Sequence, residues 1–455
     1  MFKNKYVIIS LIVIFLLIVG GATAYQWYKG SKVVAFKPAT LEFWGVWEDP
    51  DVIKDVISSY RSRHPQVTIN YRSFRPEEYS QKLLEAWALD KGPDIFMIPN
   101  ASVRQYLAYS TPMPVSMQVP TQRIEGTVKK QTINEMTTYT GYTSKNIKDT
   151  FLPVVYDDVV IDNQIYALPF SVDTMALFYN RDLLQKSDLA EPATTWDEIV
   201  TQVGKISRRN EEDQLIQSGI ALGTTNNIPN AFDIISLLMM QIGVPMENQG
   251  TVAFAKNPDS LTALRFFGGF AQPTTAVYSW NVEMGDALDM FTAGKLAYFL
   301  GYNYNVQQIK DANPKLDWDV VPVPQAQGSE NPVTYANYWV AAVANKSKSK
   351  GVAWQFIQEM TNKNNVLDYL TATKKTTALR SLIKEQESDP TLGAFVSNLL
   401  QAKSWYHGYN FTLAQKYFLT MVNNLQTAED SKIKNLLSEA ERQIQQTYAK
   451  PIQEN

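Results

Sequence analysis

At 455 residues the chain is long enough for two or three domains of ordinary size. Only 19% of its residues are charged and the formal net charge is −3, so it carries no basic footprint for nucleic acid. It has no cysteine and two histidines, His64 and His407, which excludes disulfides, thiolate chemistry and Cys-based zinc sites and disfavours a His-rich metal centre or a His-based triad.

Lys3 and Lys5 precede residues 6–24, an uncharged, mostly apolar run of roughly the twenty residues that a membrane-spanning helix needs. Positive charge on its N-terminal side favours a cytoplasmic start with the remainder outside. Ala22-Thr23-Ala24 resembles a signal-peptidase site, which leaves cleavage open beside an uncleaved anchor in the cell membrane. Residues 1–30 are expected to be the anchor or signal segment and 31–38 a tether. In either case the body is exported.

Residues 40–59, TLEFWGVWEDPDVIKDVISS, then read as strand, turn and helix. Gly45 lets the backbone turn, Asp49 stands where a helix N-cap belongs, and Pro50 fits the first helical position. Trp44, Trp47 and Glu48 thus sit between a strand end and a helix start, where open α/β sheets bind ligands. A strand over 66–71, a helix over 75–90 and an apolar strand over 94–98 follow, the alternation that builds a parallel sheet. Asn100 falls just past the last of these strands. Residues 112–150 are polar, Thr-rich and weakly periodic, and read as a long surface excursion to which the sequence assigns no function. Residues 159–167 read as a hairpin turning at Asp162-Asn163.

Residues 168–183 run from a Pro through a Ser/Asp/Thr stretch that includes Asp173 into a strand, MALFYN, and Asn180 caps the next helix. Thr195 to Glu198 form a capping box. A strand over 219–223 precedes 231–242, a helix so apolar that it must be covered on most sides. Tyr278-Ser279-Trp280 lies on a loop between the helices 260–270 and 286–291. The strand 296–300 leads into Gly301-Tyr302-Asn303-Tyr304-Asn305, a second aromatic and amide loop before a helix. Strands over 317–323 and 338–343 follow, the latter preceded by Tyr335-Ala336-Asn337; beyond 352 the pattern is mainly helical, broken at 376–380 and 405–409.

In this order the features resemble the extracellular solute-binding proteins of ABC importers, within their carbohydrate-binding family that includes the maltodextrin-binding proteins. The resemblance covers nearly all of 40–452. It rests on FWGVWED (43–49), GPDI (92–95), YALPF (166–170), ALFYNRDLL (176–184), TTWDEI (194–199), FTAGKLAYFLGYN (291–303), VVPVPQ (320–325), AWQFI (353–357) and TALRSLI (377–383). It implies an α/β, two-lobed, periplasmic-binding-protein-like fold of type II, with lobe 1 formed by 39–171 plus 325–378 and lobe 2 by 172–324 plus 379–455. The chain crossings are implied near 170–174, 321–324 and 379–381. It places aromatic site positions at Phe232 and Tyr304, a stacking Trp at Trp339 and an arginine at Arg380. The sequence departs from the maltodextrin binders at Ile98, Ala101-Ser102 and Asn230, where those proteins carry site groups, and this puts maltose in doubt.

Sugars have apolar C–H faces and many hydroxyls, so a site for them needs flat rings for the first and amides or carboxylates for the second. Ten Trp and 24 Tyr provide a generous supply of rings. Covering roughly 100 Å² of one ring face is worth about 2.5 kcal/mol at about 25 cal/mol per Å². The expected ligand contacts are Trp44, Trp47, Glu48, Asn100, Asp173, Phe232, Trp280, Tyr302, Tyr304, Asn337, Trp339, Arg380 and Trp405. The expected protein is a monomeric, membrane-tethered receptor that delivers carbohydrate to permease transmembrane subunits, without cofactor, metal or nucleic acid. Two alternatives stay open: an exported glycoside-processing enzyme, which needs two suitably spaced carboxylates, and the same fold holding a peptide or polyamine.

Overall fold

A computed structural model describes residues 37–46, 48, 50–127, 129–329, 332–425 and 428–451. The expected anchor, most of the tether, Trp47 and Asp49 lie outside the described residues. Among the described residues no helix is long and apolar enough to cross a membrane.

Two five-stranded sheets form the frame. The first runs in the order Val67–Phe74, Ala39–Val46, Ile95–Pro99, Trp339–Val343, Ala167–Leu168. Its first three strands are parallel, and Trp339–Val343 returns antiparallel to Ile95–Pro99. Pro50–Arg63 buries Ile53, Ile57 and Tyr60, and Pro76–Ala88 buries Tyr79, Leu83 and Trp87 at the three-and-four spacing of a helix face. Leu84, beside Leu83 on the same helix, is exposed. Gly45 lies within the first strand, and its missing side chain leaves room for the Tyr71 ring, which a Cβ would strike. The second sheet has the order Arg208–Arg209, Leu215–Ile220, Leu296–Gly301, Ala176–Asn180, Trp318–Pro322. Its strand Leu215–Ile220 begins and ends earlier than the 219–223 read from sequence. Ala231–Gln241 is buried along most of its length, as its composition demands.

Local signals in the sequence are visible as contacts. Asn180 Oδ1 accepts from Leu183 N at 3.0 Å, and Thr195 with Glu198 forms a reciprocal capping box. Asp162 and Asn163 both have positive φ, 51° and 62°, as a two-residue hairpin turn requires. The stretch 112–150 is more regular than expected: Ser116–Glu125 and Gln131–Thr140 pair over ten positions, followed by the helix Ser144–Thr150. The first strand buries Met117 and Val119 at alternate positions and then turns polar, and the second buries no residue fully, so the apolar alternation is too short to mark a half-buried strand.

Each sheet has its own core. One core draws on residues from Ala39 to Val172 and from Ala336 to Ala402; the other draws on Met175 to Tyr335, Phe395 and Trp405 to Ile444. The chain therefore changes core at 172–175, 335–336 and around 402–405. The last two changeovers come later than the resemblance implied. Val333 and Tyr335 are packed in the second core, and Leu379, Leu382 and Leu399 in the first. The reason is visible in the backbone. Thr334–Tyr335 pairs in parallel with Ala402–Lys403, Met175 N donates to Tyr335 O at 3.0 Å, and Asn337 N donates to Asp173 O at 3.1 Å. The three crossings run side by side as one small ladder.

A partly buried histidine spans the two cores beside this ladder. His407 Nδ1 lies 2.7 Å from Glu247 Oε2 in the second half, and Nε2 lies 3.1 Å from Asp158 Oδ1 in the first. Asp158 also accepts from Asn100 Nδ2 at 2.9 Å, Tyr338 Oη at 2.6 Å and Ser404 Oγ at 2.5 Å. Burial alone would lower the His407 pKa, but the two carboxylates outweigh it and raise the value from 6.5 to about 9. A folded-state pKa above the unfolded one stabilises fully below about 6.5 and loses that contribution as pH rises to about 9. The thermal midpoint of the wild type should therefore fall between pH 6.5 and 9 more steeply than that of His407→Gln. Parallel pH profiles from differential scanning fluorimetry would remove this role from His407.

Candidate functional site

Register decides which side chains can share a gap. In the first sheet the parallel strands end at Val46 and Pro99, and the antiparallel return begins at Trp339 opposite Pro99. Glu48, Asn100, Asn337 and Trp339 therefore gather at one edge. In the second sheet Leu296–Gly301 ends opposite Ala176, which brings Tyr302, Asn303, Tyr304 and Asp173 together. The crossing ladder turns these two edges toward each other. This is the C-terminal edge of the parallel strands, where α/β sheets bind ligands.

At the floor, Asp173 Oδ1 accepts from Thr174 N at 2.9 Å and Asn303 N at 3.2 Å. Asn303 Nδ2 reaches across to Lys374 O at 2.7 Å. Burial raises the Asp173 pKa to about 7, against the opposing pull of Asn303 N–H and Lys375. On the first lobe, Glu48 Oε1 accepts from Tyr369 Oη at 2.6 Å and from Lys375 Nζ. On the second, Asp233 Oδ2 accepts from Tyr302 Oη at 2.6 Å and from Asn337 Nδ2 at 3.0 Å. Burial raises Asp233 to about 6, and its two donors moderate the rise. Tyr304 stacks on Tyr302 at 5.8 Å, leaves 48% of its own surface exposed, and donates to Asn230 Oδ1 at 3.4 Å. Trp339 is half-buried, edge-on to Tyr79 at 6.0 Å.

The expected site residues thus divide. Asp173, Tyr304 and Asn337 lie beside the crossing ladder, linked through Asn303 and Asp233; Glu48 reaches Lys375, which faces Asp173, and Trp339 stands at the edge of the first sheet, two residues from Asn337. Phe232, Trp280, Tyr302 and Trp405 do not offer a face to it, because they are core: Phe232 stacks on Trp405 at 5.6 Å, Trp405 Nε1 donates to Ser236 Oγ, and Trp280 Nε1 donates to Asn227 Oδ1. Trp44 is 8% exposed and packs on Phe74 at 4.6 Å. Asn100 is buried with both amide atoms engaged, Nδ2 to Asp158 and Oδ1 from Tyr338 N. Arg380 is exposed but its Nε donates to Phe151 O at 2.7 Å within the first lobe, since the third crossing lies further on. Asp233, Tyr369 and Lys375 were missed. Asp233 had a signal: it is an acid inside FDIISLLMM, a run otherwise fit only for a core. Among the described residues no group of three or more His, Asp and Glu is placed to hold a metal ion.

A core ring and a gap ring should respond differently to removal. Trp405→Ala should lower stability by about 3–5 kcal/mol, read as a drop in the urea midpoint. Tyr304→Ala, at an exposed position, should leave that midpoint nearly unchanged; equal losses in the two variants would contradict this division.

The comparisons agree with this architecture. A binding protein of Brucella abortus (strain 2308) is 23% identical over 229 residues, 49% of this chain and 53% of the relative, so the chain spans about half the length of the first curated relatives it matches. The galactooligosaccharide-binding protein of Bacillus subtilis (strain 168) is 21% identical over 368 residues, 78% of this chain and 75% of that protein. Among solved structures, the cyclic alpha-maltosyl-1,6-maltose binding protein from Arthrobacter globiformis superposes with a TM-score of 0.71 at 17% identity, covering 90% of this chain and 99% of that one. The sequence profile described as bacterial extracellular solute-binding protein matches residues 55–394, most of the chain. The chain belongs to the family of bacterial extracellular solute-binding proteins.

Proposed function

We propose that this chain is the receptor subunit of an ABC importer: it takes a sugar or oligosaccharide between its lobes outside the cytoplasm and delivers it to the permease. The observation that carries this reading is that an exposed Tyr304 ring lies beside the three hydrogen-bonded crossings together with Asp173, Asn303, Asn337 and Asp233, while the half-buried Trp339 ring stands two residues from Asn337 on the facing sheet edge. Rings supply apolar faces, and amides and carboxylates supply hydroxyl partners, which is the chemistry a carbohydrate demands. The names of relatives point the same way, since they include a galactooligosaccharide-binding and a maltotriose-binding protein. Residues 6–24 would hold the receptor at the membrane, and the receptor would work as a monomer.

Ligand contacts both lobes fully only when they close, so binding stabilises the closed state and a permease can read it. The three crossings would serve as the hinge. In calorimetry on the full chain in detergent, at least one neutral mono- or oligosaccharide should bind. Trp339→Ala and Tyr304→Ala should each weaken it by about tenfold or more, the loss of one well-covered ring face. Unchanged affinity in both variants would take the sugar site away from this gap.

A further inference from the structure

The carboxylates of this gap are held in an unusual way. Asp233 is 5% exposed, and both of its donors, Tyr302 Oη and Asn337 Nδ2, go to Oδ2. No hydrogen bond among the described residues reaches its Oδ1. A buried carboxylate is costly unless a cation or a full set of donors compensates it. The groups that face Asp233 are Tyr302 and Tyr304 from the loop after Leu296–Gly301, and Tyr335 and Asn337 from the second crossing. None of these is a cation. Across the floor, Asp173 faces Asn303, Thr174, Tyr304 and Lys375. The Lys375 ammonium is already in contact with Glu48.

Resting on the sugar reading, we propose that Asp233 is a specificity-determining acceptor of the gap, which admits saccharides that are neutral or amine-bearing and excludes those carrying a carboxylate. A sugar hydroxyl or ammonium at Oδ1 completes the donor set that the protein leaves open. A uronate brings a further negative charge beside Asp233 and Asp173, where the Lys375 ammonium is already engaged by Glu48. Like charges in a partly desolvated gap repel far more strongly than in water. The inward tie to Asn337 makes Asp233 sensitive to closure as well, because Asn337 belongs to the crossing that joins the lobes.

The pH dependence has a definite sign. Asp233 and Asp173 have values of about 6 and about 7, so both gain charge between pH 5 and 8. A sugar uronate, with an ordinary carboxyl pKa of roughly 4, is already ionised at pH 5. The preference for neutral over acidic sugar therefore widens as pH rises.

Calorimetry on the full chain in detergent, with galactobiose against digalacturonate and maltotriose against its C6-oxidised uronate, tests this at pH 5 and pH 8. For whichever pair binds, the neutral sugar should be preferred by about thirtyfold or more at pH 8, with a narrower gap at pH 5. Asp233→Asn should shrink the gap at pH 8 severalfold. Should that variant fail to fold, the wild-type pH scan decides alone. Equal binding of neutral and acidic partners, or a gap that does not widen with pH, overturns the inference and leaves the sugar reading standing. Binding of no saccharide at all overturns both.

Discussion

The structure depends on a handful of backbone hydrogen bonds where the chain passes between its two cores. Met175 N to Tyr335 O, Asn337 N to Asp173 O and Ala336 N to Lys403 O lock three crossings into one strip. A single crossing would leave the lobes free to swing and twist in any direction. Three aligned strands restrict the motion to bending about their common line. They also fix which edges of the sheets meet. Because Trp339 pairs with Pro99 and Gly301 with Ala176, the C-terminal edges of the parallel strands confront each other across the strip.

From that constraint the chemistry of the gap follows. Strand ends stop pairing, so their backbone groups and adjacent side chains must find partners elsewhere. Asp173 takes two N–H groups, one from its own crossing and one from the loop after Leu296–Gly301. Asn303 and Asn337 each reach from one lobe or crossing to the other. The crossings and the floor of the proposed site are thus built from the same residues, so a ligand on that floor would touch the crossings directly. His407 adds a second bridge beside the crossing strip, tying Asp158 to Glu247 and drawing Asn100 and Tyr338 into the first lobe's side of that bridge.

Much of the frame was legible because its signals are local. Asn180, Thr195 with Glu198, and Asp162-Asn163 each do what their side chains dictate within a few residues. The alternation of strands and helices set the sheet type, and the ordered motifs set the two-lobed plan. The site was less legible, because the question there is which way a ring faces. Tyr302 and Tyr304 are two residues apart on one loop, yet one is fully buried against Asp233 and the other is half-exposed. Phe232, Trp280 and Trp405 sit near helix starts and loops, as ligand rings do, but close-packed partners from distant segments claim them. The late second and third crossings depend on long-range pairing of Thr334–Tyr335 with Ala402–Lys403, which leaves no mark in composition.

The central claim is that these two lobes close on an uncharged sugar. Since the chain has no cysteine, dyes can be placed at will through Leu89→Cys in the first lobe and Val282→Cys in the second, both at exposed positions. Single-molecule energy transfer between them should show a shift toward the shorter separation when a binding neutral saccharide is added, saturating with its calorimetric affinity. A saccharide that binds with calorimetric heat yet leaves the distance distribution unchanged would contradict the account.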